Sequence, residues 1–248
     1  MRVAIAGGTG TVGAPTAEAV RASGHEAVIL ARSRGIDLVT GAGLDAALDG
    51  VDAVIDAATI STLNADAATE FFTAATGNLI TASARAGVGH LVLLSIVGID
   101  RTPYGYYAGK LAQERIVEES PVPWTILRAT QFHEFSAQML DRAKIGPLRV
   151  APRARTQPIA AAEVAQRLVE LAAGAPQGRA HDLAGPQEEA LDAMVKTYAK
   201  AIGHRGWIPS ISVPTAQMKG MREGLALPGA DADLGSQTFA EWIAAQRV

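Results

Sequence analysis

Short, continuously apolar runs alternate with longer alanine-rich segments of helical spacing along the first half of the chain. The apolar runs predict six β-strands, at Arg2–Ala6, Glu26–Ala31, Ile36–Val39, Ala53–Ala57, Leu91–Ser95 and Trp124–Arg128. The segments between them predict helices, among them Pro15–Ser23, Glu70–Ala86 and Lys110–Glu119. Strands that are apolar at every position are buried on both faces, as in a parallel sheet covered by helices. The pattern therefore predicts an α/β fold with a doubly wound parallel sheet, in which one crossover is irregular because only Ser33–Gly35 separate the second and third strands.

The pattern changes after about Phe132, where prolines begin to interrupt it. The further elements predicted are a short strand at His181–Leu183 and helices over Ala161–Ala173, Glu189–Ile202 and Gln237–Gln246. Between Trp207 and Gly235 the chain has three prolines and no clear period. No shift in composition marks a linker, so residues 1–248 are predicted to form a single domain. Within it, about residues 132–248 contribute a small C-terminal substrate-binding lobe.

Composition and charge narrow the class of protein. Hydrophobic residues make up 48% and charged residues 19%, which excludes a mainly disordered chain. The net charge of −3 predicts neither a nucleic-acid nor a membrane partner. The absence of cysteine excludes disulfides, thiolate metal sites and a cysteine nucleophile. The first glycines come too early for a secretory signal, so we expect a cytoplasmic protein. We expect its partner to be a small-molecule substrate. Its oligomeric state is left open, a homo-oligomer included.

A glycine-rich loop follows the first strand and precedes a helix. It can be read with glycines at 8, 10 and 13 or at 7, 10 and 13. Glycine there allows a sharp turn and a close approach of the backbone to a pyrophosphate, whose charge the helix N-terminus stabilises. A tight turn without a ligand is the simpler alternative, but the strand–loop–helix context favours a Rossmann-type dinucleotide site. Its predicted contacts are Gly7, Gly10, Thr11, Val12 and Gly13.

The end of the second strand bears on the choice of cofactor. An NAD site places a carboxylate there for the ribose 2′-hydroxyl, yet no acidic residue occurs between Val28 and Ile36. Arg32 lies there with Ser33, and a guanidinium suits a 2′-phosphate. Solvated surface arginines are the alternative. We therefore predict that NADP(H) is favoured over NAD(H).

Tyr106 and Lys110 stand at i and i+4 on one predicted helix face. An ammonium beside a phenol lowers the pKa of the phenol, which helps it to exchange a proton with a carbonyl or alcohol oxygen. Ser95 ends a strand, where parallel sheets place ligand contacts. Tyr-x-x-x-Lys alone is common by chance, and Tyr104 and Tyr107 flank Tyr106, so the choice of tyrosine rests on the spacing.

These motifs together resemble a known family. The glycine loop, Leu91–Ser95, Tyr106-Tyr107-Ala108-Gly109-Lys110 and Trp124–Arg128 are similar to the short-chain dehydrogenase/reductase superfamily, and more narrowly to its atypical, NmrA-like NAD(P)H-binding branch. The resemblance implies that Tyr106 is the general acid, that Lys110 binds the nicotinamide ribose and that Ser95 orients the substrate oxygen. It also implies further cofactor contacts at Ala57, Ala58, Thr59 and Thr130, and substrate contacts at Phe132, His133 and Phe135.

The reading of function from these residues has alternatives. The scattered histidines and the lack of a carboxylate cluster at ligand spacing predict no metal site. Ser95 lacks the flanking glycines of an esterase nucleophile. The prediction is an NADP(H)-dependent oxidoreductase that reduces an apolar carbonyl or quinone-like small molecule. A non-catalytic NAD(P)-binding redox sensor and a sugar-nucleotide epimerase or dehydratase are the alternatives.

Overall fold

A computed structural model of the chain describes residues 1–146 and 148–246. The strands are, in chain order, β1 Arg2–Ala6, β2 Glu26–Leu30, β3 Ala53–Asp56, β4 His90–Ile96, β5 Trp124–Ala129, β6 Lys144–Ile145, β7 Leu148–Arg149, β8 Ala151–Pro152, β9 Arg155–Thr156, β10 Gly178–Arg179, β11 Leu183–Ala184, β12 Glu189–Ala190, β13 Ser210–Ile211 and β14 Asp233–Leu234. The helices are α1 Gly13–Ala22, α2 Leu44–Ala47, α3 Ala65–Ala86, α4 Tyr106–Glu118, α5 Phe135–Arg142, α6 Ala161–Ala173, α7 Leu191–Ala201, α8 Ala216–Arg222 and α9 Phe239–Ala245.

The main sheet is parallel and runs in the order β14-β11-β5-β4-β3-β1-β2, with β10 also paired to β5. Strand β1 lies between β2 and β3, so the chain crosses from one side of β1 to the other between its second and third strands. Open α/β sheets bind ligands at the carboxyl ends of the strands where such a reversal occurs. The topology confirms the predicted Rossmann-type doubly wound sheet.

Helices cover both faces of this sheet, as the uniformly apolar strands predict. On one face, α1 and α6 pack on alternate positions of β1 and β4, with Val20 and Leu168 fully buried. On the other face, α3 and α4 pack on the remaining positions, with Leu79 and Val117 fully buried. Apolar area removed from water on both faces holds the three layers together.

One predicted strand is wrong. Residues Ile36–Val39 form no strand, and the crossover between β2 and β3 consists of a 3₁₀ turn at Arg32–Arg34, a loop and the short helix α2. The carboxylate of Asp37 accepts hydrogen bonds from the amides of Val39 and Thr40, which bends the backbone out of an extended form. Ile36 is still buried in the core, so its burial and not a strand explains the apolar run.

Two helices begin earlier than their apolar spacing predicts. The side chain of Asn64 caps α3 by accepting a hydrogen bond from the Ala67 amide at 2.8 Å, so this helix begins at Ala65. Helix α4 begins at Tyr106, and the i,i+4 pair therefore lies entirely within it. A Cβ on Gly109 would stand 2.6 Å from the Ala68 carbonyl carbon, so glycine lets α4 approach α3 closely at this level.

The C-terminal third builds a smaller layer and extends the main sheet through β11 and β14. Its core is formed by α5, α7 and α8, and α9 adds a second apolar cluster around Met194 and Trp242. Met221 is fully buried and Met218 packs beside it, so this methionine pair belongs to the core of the layer. In the described part of the chain, no helix is both long and apolar enough to cross a membrane.

Candidate cofactor and catalytic site

The glycine loop joins β1 to α1 at the point where the strand order reverses. Gly7 has a φ of +72° and its carbonyl accepts a hydrogen bond from the Gly10 amide at 2.9 Å. A Cβ on Gly7 would lie 2.6 Å from the Ala57 carbonyl oxygen, and one on Gly13 would lie 2.0 Å from the Gly7 oxygen. Side chains at these positions would therefore disrupt the loop and its contact with the turn after β3.

The N-terminus of α1 is left open toward this loop. Its N-cap is Val12, no side chain caps the helix, and no acidic residue lies in the first turn. Thr9 and Thr11 are exposed and Gly10 is half-buried, so the rim of the loop is accessible. Uncapped N–H groups and the positive end of a ten-residue helix suit a phosphate. The loop thus fits the pyrophosphate of a dinucleotide.

The end of β2 carries exposed cations. Arg32, Ser33 and Arg34 are all exposed in the 3₁₀ turn that follows the strand. Within residues 1–146 and 148–246, neither arginine forms an ion pair. Their guanidinium groups are therefore available to an external anion.

The turn Ala57–Thr59 after β3 connects the loop to the tyrosine. The carboxylate of Asp56 accepts a hydrogen bond from the Ala58 amide at 3.0 Å, which holds this turn. Ala57 contacts the glycine loop through its carbonyl, as the space around Gly7 indicates. Thr59 Oγ1 is hydrogen-bonded to Tyr106 Oη at 2.8 Å. The predicted cofactor turn and the predicted proton donor therefore meet.

Tyr106 is held by aromatic packing at the start of α4. Its ring packs edge-on against Phe72 at 5.5 Å and against Tyr107 at 6.4 Å between centroids. Burial raises the pKa of Tyr106 to about 12, against the opposing effect of the Thr59 hydrogen bond. The expected lowering of this pKa by Lys110 is not seen, because the Lys110 ammonium is directed elsewhere.

The three neighbouring tyrosines differ in environment. Tyr104 precedes the helix and is 50% exposed. Tyr107 is buried, and its hydroxyl accepts a hydrogen bond from Gln131 Nε2 at 3.1 Å, on the side of the C-terminal layer. Of the three, Tyr106 is the one whose hydroxyl is bonded to the turn beside the glycine loop. The environment agrees with the choice made from the spacing.

Lys110 points into the protein toward the end of β4. It is 3% exposed, and its Nζ donates hydrogen bonds to the Leu94 carbonyl at 2.7 Å and to Gln113 Oε1. The Phe72 ring lies 4.9 Å from Nζ. Burial lowers the pKa of Lys110 to about 8, although the charge of Asp56 opposes that shift. No hydrogen bond joins Lys110 to Tyr106 among the residues that the structure describes.

Sequence reasoning missed the polar groups that surround this lysine. Asp56 is 1% exposed and accepts hydrogen bonds from Thr76 Oγ1 at 3.1 Å and from Gln113 Nε2 at 2.9 Å. Burial raises the pKa of the Asp56 carboxyl, and Lys110 and the hydrogen bonds act against that rise. The available signals were a carboxylate inside an apolar strand and a glutamine three residues after Lys110.

Ser95 is buried beneath the middle of α4. It lies beside Glu114, but its hydroxyl has no hydrogen-bond partner of normal geometry in the described chain. Glu114 is instead held by Arg128, whose Nε and Nη2 donate to its two oxygens at 2.9 Å and 2.8 Å, and by Arg179 at 3.0 Å. Within the described residues no hydrogen bond joins Ser95 to Tyr106, so the catalytic role of Ser95 stays a prediction.

The remaining predicted contacts lie further into the protein. Thr130 is 2% exposed, and its hydroxyl donates to the Gln157 carbonyl at 2.6 Å. Phe132 packs against the core on the α6 side, and Phe135 packs within the C-terminal layer. Neither phenylalanine is fully buried. Their roles as substrate contacts stay predictions.

His133 lies in the core beneath the final helix. It is 0% exposed, its Nε2 is 3.1 Å from the Gln237 carbonyl oxygen, and Phe239 and Trp242 of α9 pack on its ring. The final helix, distant in sequence, covers the imidazole, and the role of His133 as a substrate contact stays a prediction. No cluster of three metal-binding side chains occurs in the parts of the chain described.

Comparison with known proteins identifies the family. Residues 7–174 match the family model described as NAD(P)H-binding. No curated protein matches the sequence.

Three solved structures illustrate the likeness in fold. The triphenylmethane reductase of Citrobacter sp., complexed with NADP(H), is 17% identical with a TM-score of 0.72, and 100% of both chains is covered. The NADPH-dependent quinone oxidoreductase QOR2 of Escherichia coli, complexed with NADPH, is 19% identical with a TM-score of 0.71, over 98% of this chain and 99% of that one. MoeE5, in complex with UDP-glucuronic acid and NAD, is 16% identical with a TM-score of 0.74, over 99% of this chain and 97% of that one.

The ligands bound in those structures belong to those proteins, and at such identities the likeness is one of fold. The family model, in contrast, spans the glycine loop, the turn after β3, the Tyr106–Lys110 helix and α6. Since it matches more than half of the chain and its loop fits a dinucleotide, this protein belongs to the NAD(P)H-binding family, and the resemblance seen in the sequence is confirmed at that level.

Proposed function

We propose that the protein is an NADP(H)-dependent reductase of the short-chain dehydrogenase/reductase type, acting on an apolar carbonyl or quinone-like small molecule. The observation that carries this proposal is the 2.8 Å hydrogen bond between Tyr106 Oη and Thr59 Oγ1. It brings a group able to donate a proton to the turn that borders the glycine loop, where a bound dinucleotide would lie.

The preference for NADP(H) rests on the charges at the end of β2. Arg32 and Arg34 are exposed there, and the turn that carries them contains no acidic residue for a ribose 2′-hydroxyl. Ser33 adds a hydroxyl donor between them. A 2′-phosphate would supply the anion that these side chains lack.

The chemistry divides between cofactor and protein. The nicotinamide, when bound, supplies the hydride. Tyr106 would donate the proton to the substrate oxygen, and a pKa of about 12 keeps its hydroxyl protonated at neutral pH, as a general acid requires. Lys110 uses two of its three N–H groups on Leu94 and Gln113, which leaves one for a ribose hydroxyl.

An apolar substrate fits the surface next to Tyr106. Leu63 is 87% exposed and Tyr104 is 50% exposed. Gly105, which stands between Tyr104 and Tyr106 in the sequence, lies against the Leu63 backbone, since a Cβ on Gly105 would lie 3.0 Å from the Leu63 carbonyl oxygen. Exposed apolar side chains beside a candidate site favour a hydrophobic ligand over a sugar.

A non-catalytic redox sensor is the second candidate, and one observation favours it. The Lys110 ammonium is bonded to Leu94 and Gln113 and not to Tyr106, so it does not assist proton transfer from this phenol. Such a protein would bind NADPH and report its presence without consuming it.

Assays of binding and turnover on the same preparation separate the two candidates. NADPH binding is measured by its fluorescence, and NADPH consumption is followed with benzaldehyde, cyclohexanone and 1,4-naphthoquinone as substrates. A reductase gives saturable binding and consumption with at least one of the three. Binding without consumption in a wider panel of carbonyls and quinones contradicts the reductase proposal and supports the sensor.

A further inference from the structure

A buried chain of hydrogen bonds links a carboxylate to the candidate catalytic lysine through a neutral amide. Gln113 Nε2 donates to Asp56 Oδ2 at 2.9 Å, and Gln113 Oε1 accepts from Lys110 Nζ. The orientation of this amide is determined by chemistry, because an ammonium only donates and an ionised carboxylate only accepts. Asp56, Gln113 and Lys110 are each at most 3% exposed.

The same carboxylate holds the turn that carries Thr59. Its Oδ1 accepts from the Ala58 amide at 3.0 Å, and the next residue, Thr59, bonds to Tyr106 Oη at 2.8 Å. Counting Thr76 Oγ1, donors from three different residues converge on Asp56. Converging donors favour the ionised carboxylate and restrict its rotation.

We propose that Asp56 and Gln113 are positioning residues of the proposed active site: Asp56 holds Lys110 through Gln113 and holds the Thr59–Tyr106 contact through the Ala58 amide, so that one buried carboxylate sets the place of both groups. This inference rests on the proposed function for its catalytic consequence. The placement of Lys110 does not depend on the proposed function and is tested on its own.

The amide between the two charges has a physical consequence. The Leu94 carbonyl and Gln113 Oε1 each take one N–H of Lys110, as a carboxylate in the place of the amide also would. Through Gln113, the charge of Asp56 still favours the ammonium while one donor stays free for the ribose. The Phe72 ring, 4.9 Å from Nζ and 5.5 Å from the Tyr106 ring, packs against both groups.

The test uses the full chain and starts without cofactor. The pKa of Lys110 is measured by NMR on protein labelled with ¹⁵Nζ-lysine. The sequence contains five lysines, and the signal that disappears in Lys110→Met is the one of Lys110. Asp56 from β3 and Glu114 from the same helix are the charged groups that act on Lys110, and the Leu94 carbonyl and the Phe72 ring complete its surroundings. NADPH affinity is measured in parallel by fluorescence.

Three variants and one control distinguish positioning from general stabilisation. Asp56→Asn removes the charge, Gln113→Met removes the bridge, and Asp56→Asn with Gln113→Glu moves the charge onto the bridge. Glu114→Gln is the control, because it removes a buried carboxylate from the adjacent position without breaking the chain of hydrogen bonds. Circular dichroism establishes that each variant is folded.

We expect Asp56→Asn and Gln113→Met to lower the pKa of Lys110 below that of the wild type and to weaken NADPH binding by about tenfold, the effect of one lost charge-assisted contact. The double variant should return the pKa of Lys110 to the wild-type value or above and recover most of the affinity. Glu114→Gln should lower the pKa of Lys110 less than Asp56→Asn does and leave NADPH affinity within about twofold.

The proposal is overturned if Asp56→Asn leaves both the pKa of Lys110 and the affinity for NADPH unchanged. It is also overturned if the folded double variant binds NADPH no better than Asp56→Asn does. If Asp56→Asn does not fold, Gln113→Met and the double variant decide by the same two readouts. If these results hold and no tested carbonyl or quinone is reduced, the positioning role stands and the reductase proposal fails.

Discussion

Helix α4 carries two buried polar clusters that differ in how completely their charges are paired. Toward the middle of the helix, Glu114 accepts from two guanidinium groups, and Arg128 is paired in addition with Asp100 at 3.0 Å. At the start of the helix, Lys110 reaches Asp56 only through the amide of Gln113. In the first cluster both oxygens of the Glu114 carboxylate accept hydrogen bonds from arginines. In the second cluster Lys110 uses two of its three N–H groups.

The difference separates stability from ligand binding. Burial raises the pKa of Glu114, but the Arg128 hydrogen bonds and charge outweigh it and hold the pKa below its ordinary value. For Lys110, burial prevails over Asp56, and the pKa falls to about 8. A carboxylate whose oxygens are both hydrogen-bonded contributes to the stability of the fold. A cation that keeps a free N–H can still bind a ligand. Arg32 and Arg34, exposed and without ion pairs in the described residues, belong with the second type.

The largest expected effect is on turnover. Tyr106→Phe keeps the ring that packs on Phe72 and removes only the hydroxyl bonded to Thr59. We expect the turnover rate to fall by roughly 10²–10⁴, the usual contribution of general acid catalysis, with little change in NADPH affinity. Steady-state kinetics with a substrate from the panel measures it.

Tyr107→Phe is the matched control for that experiment. It removes a hydroxyl bonded to Gln131 on the other side of the helix. It should cost about 1 kcal/mol in the free energy of unfolding and leave turnover nearly unchanged. Retained activity in Tyr106→Phe would place the proton donor elsewhere.

The second effect tests the cluster around Glu114. Glu114→Gln leaves Arg128 and Arg179 without their shared carboxylate, and removal of one partner from a buried pair costs about 3 kcal/mol. Chemical denaturation should therefore show a lower free energy of unfolding. The exposed pair of Arg155 and Glu188 provides the control, since Glu188→Gln should cost less than about 1 kcal/mol. If Glu114→Gln and Glu188→Gln lose the same free energy of unfolding, the buried cluster does not differ from an exposed ion pair.

The third effect concerns the exposed arginines that follow β2. If Arg32 binds the 2′-phosphate, Arg32→Ala should weaken NADPH binding by about tenfold to a hundredfold and leave NADH binding unchanged. Fluorescence titration with both cofactors measures the ratio of affinities. Arg85→Ala, at the far end of α3, is the control. A parallel loss for both cofactors contradicts the assignment of Arg32.

The smallest effect is the pH dependence that Lys110 confers on stability. Its pKa is about 8 in the folded protein against 10.5 for the ordinary side chain, so the unfolded state binds more protons between these values. Stability relative to a Lys110→Met variant should therefore rise with pH in this window, by about 1–2 kcal/mol between pH 8 and pH 9.5, and stay level below it.

Denaturation of both proteins across this window provides the measurement. Tyr106 acts in the opposite direction only above pH 10, where the unfolded chain loses its phenolic protons first. A difference that stays constant from pH 7 to pH 9.5 would mean that Lys110 is not depressed by burial.

The sheet and the cofactor loop could be predicted from the sequence because their signals are local. A continuously apolar run reports burial on both faces whatever covers it, and the glycines of the loop are set by contacts between neighbouring segments. The predicted strand at Ile36–Val39 is wrong for the same reason. Its apolar residues indicate burial, but Asp37 turns the backbone. Periodicity alone does not separate a buried loop from a buried strand.

The candidate site also has features that the sequence predicted and features that only the structure showed. The sequence determined the doubly wound sheet, the glycine loop, the exposed arginines after β2 and the choice of Tyr106 by its spacing from Lys110. Only the tertiary structure decided that Lys110 turns away from Tyr106, that Asp56 and Gln113 surround it, and that α9 covers His133. Those features depend on packing between residues up to 109 positions apart, as between His133 and Trp242, and on hydrogen bonds such as that between Gln113 and Asp56, 57 positions apart. No local pattern records which distant side chain will exclude water from a charge.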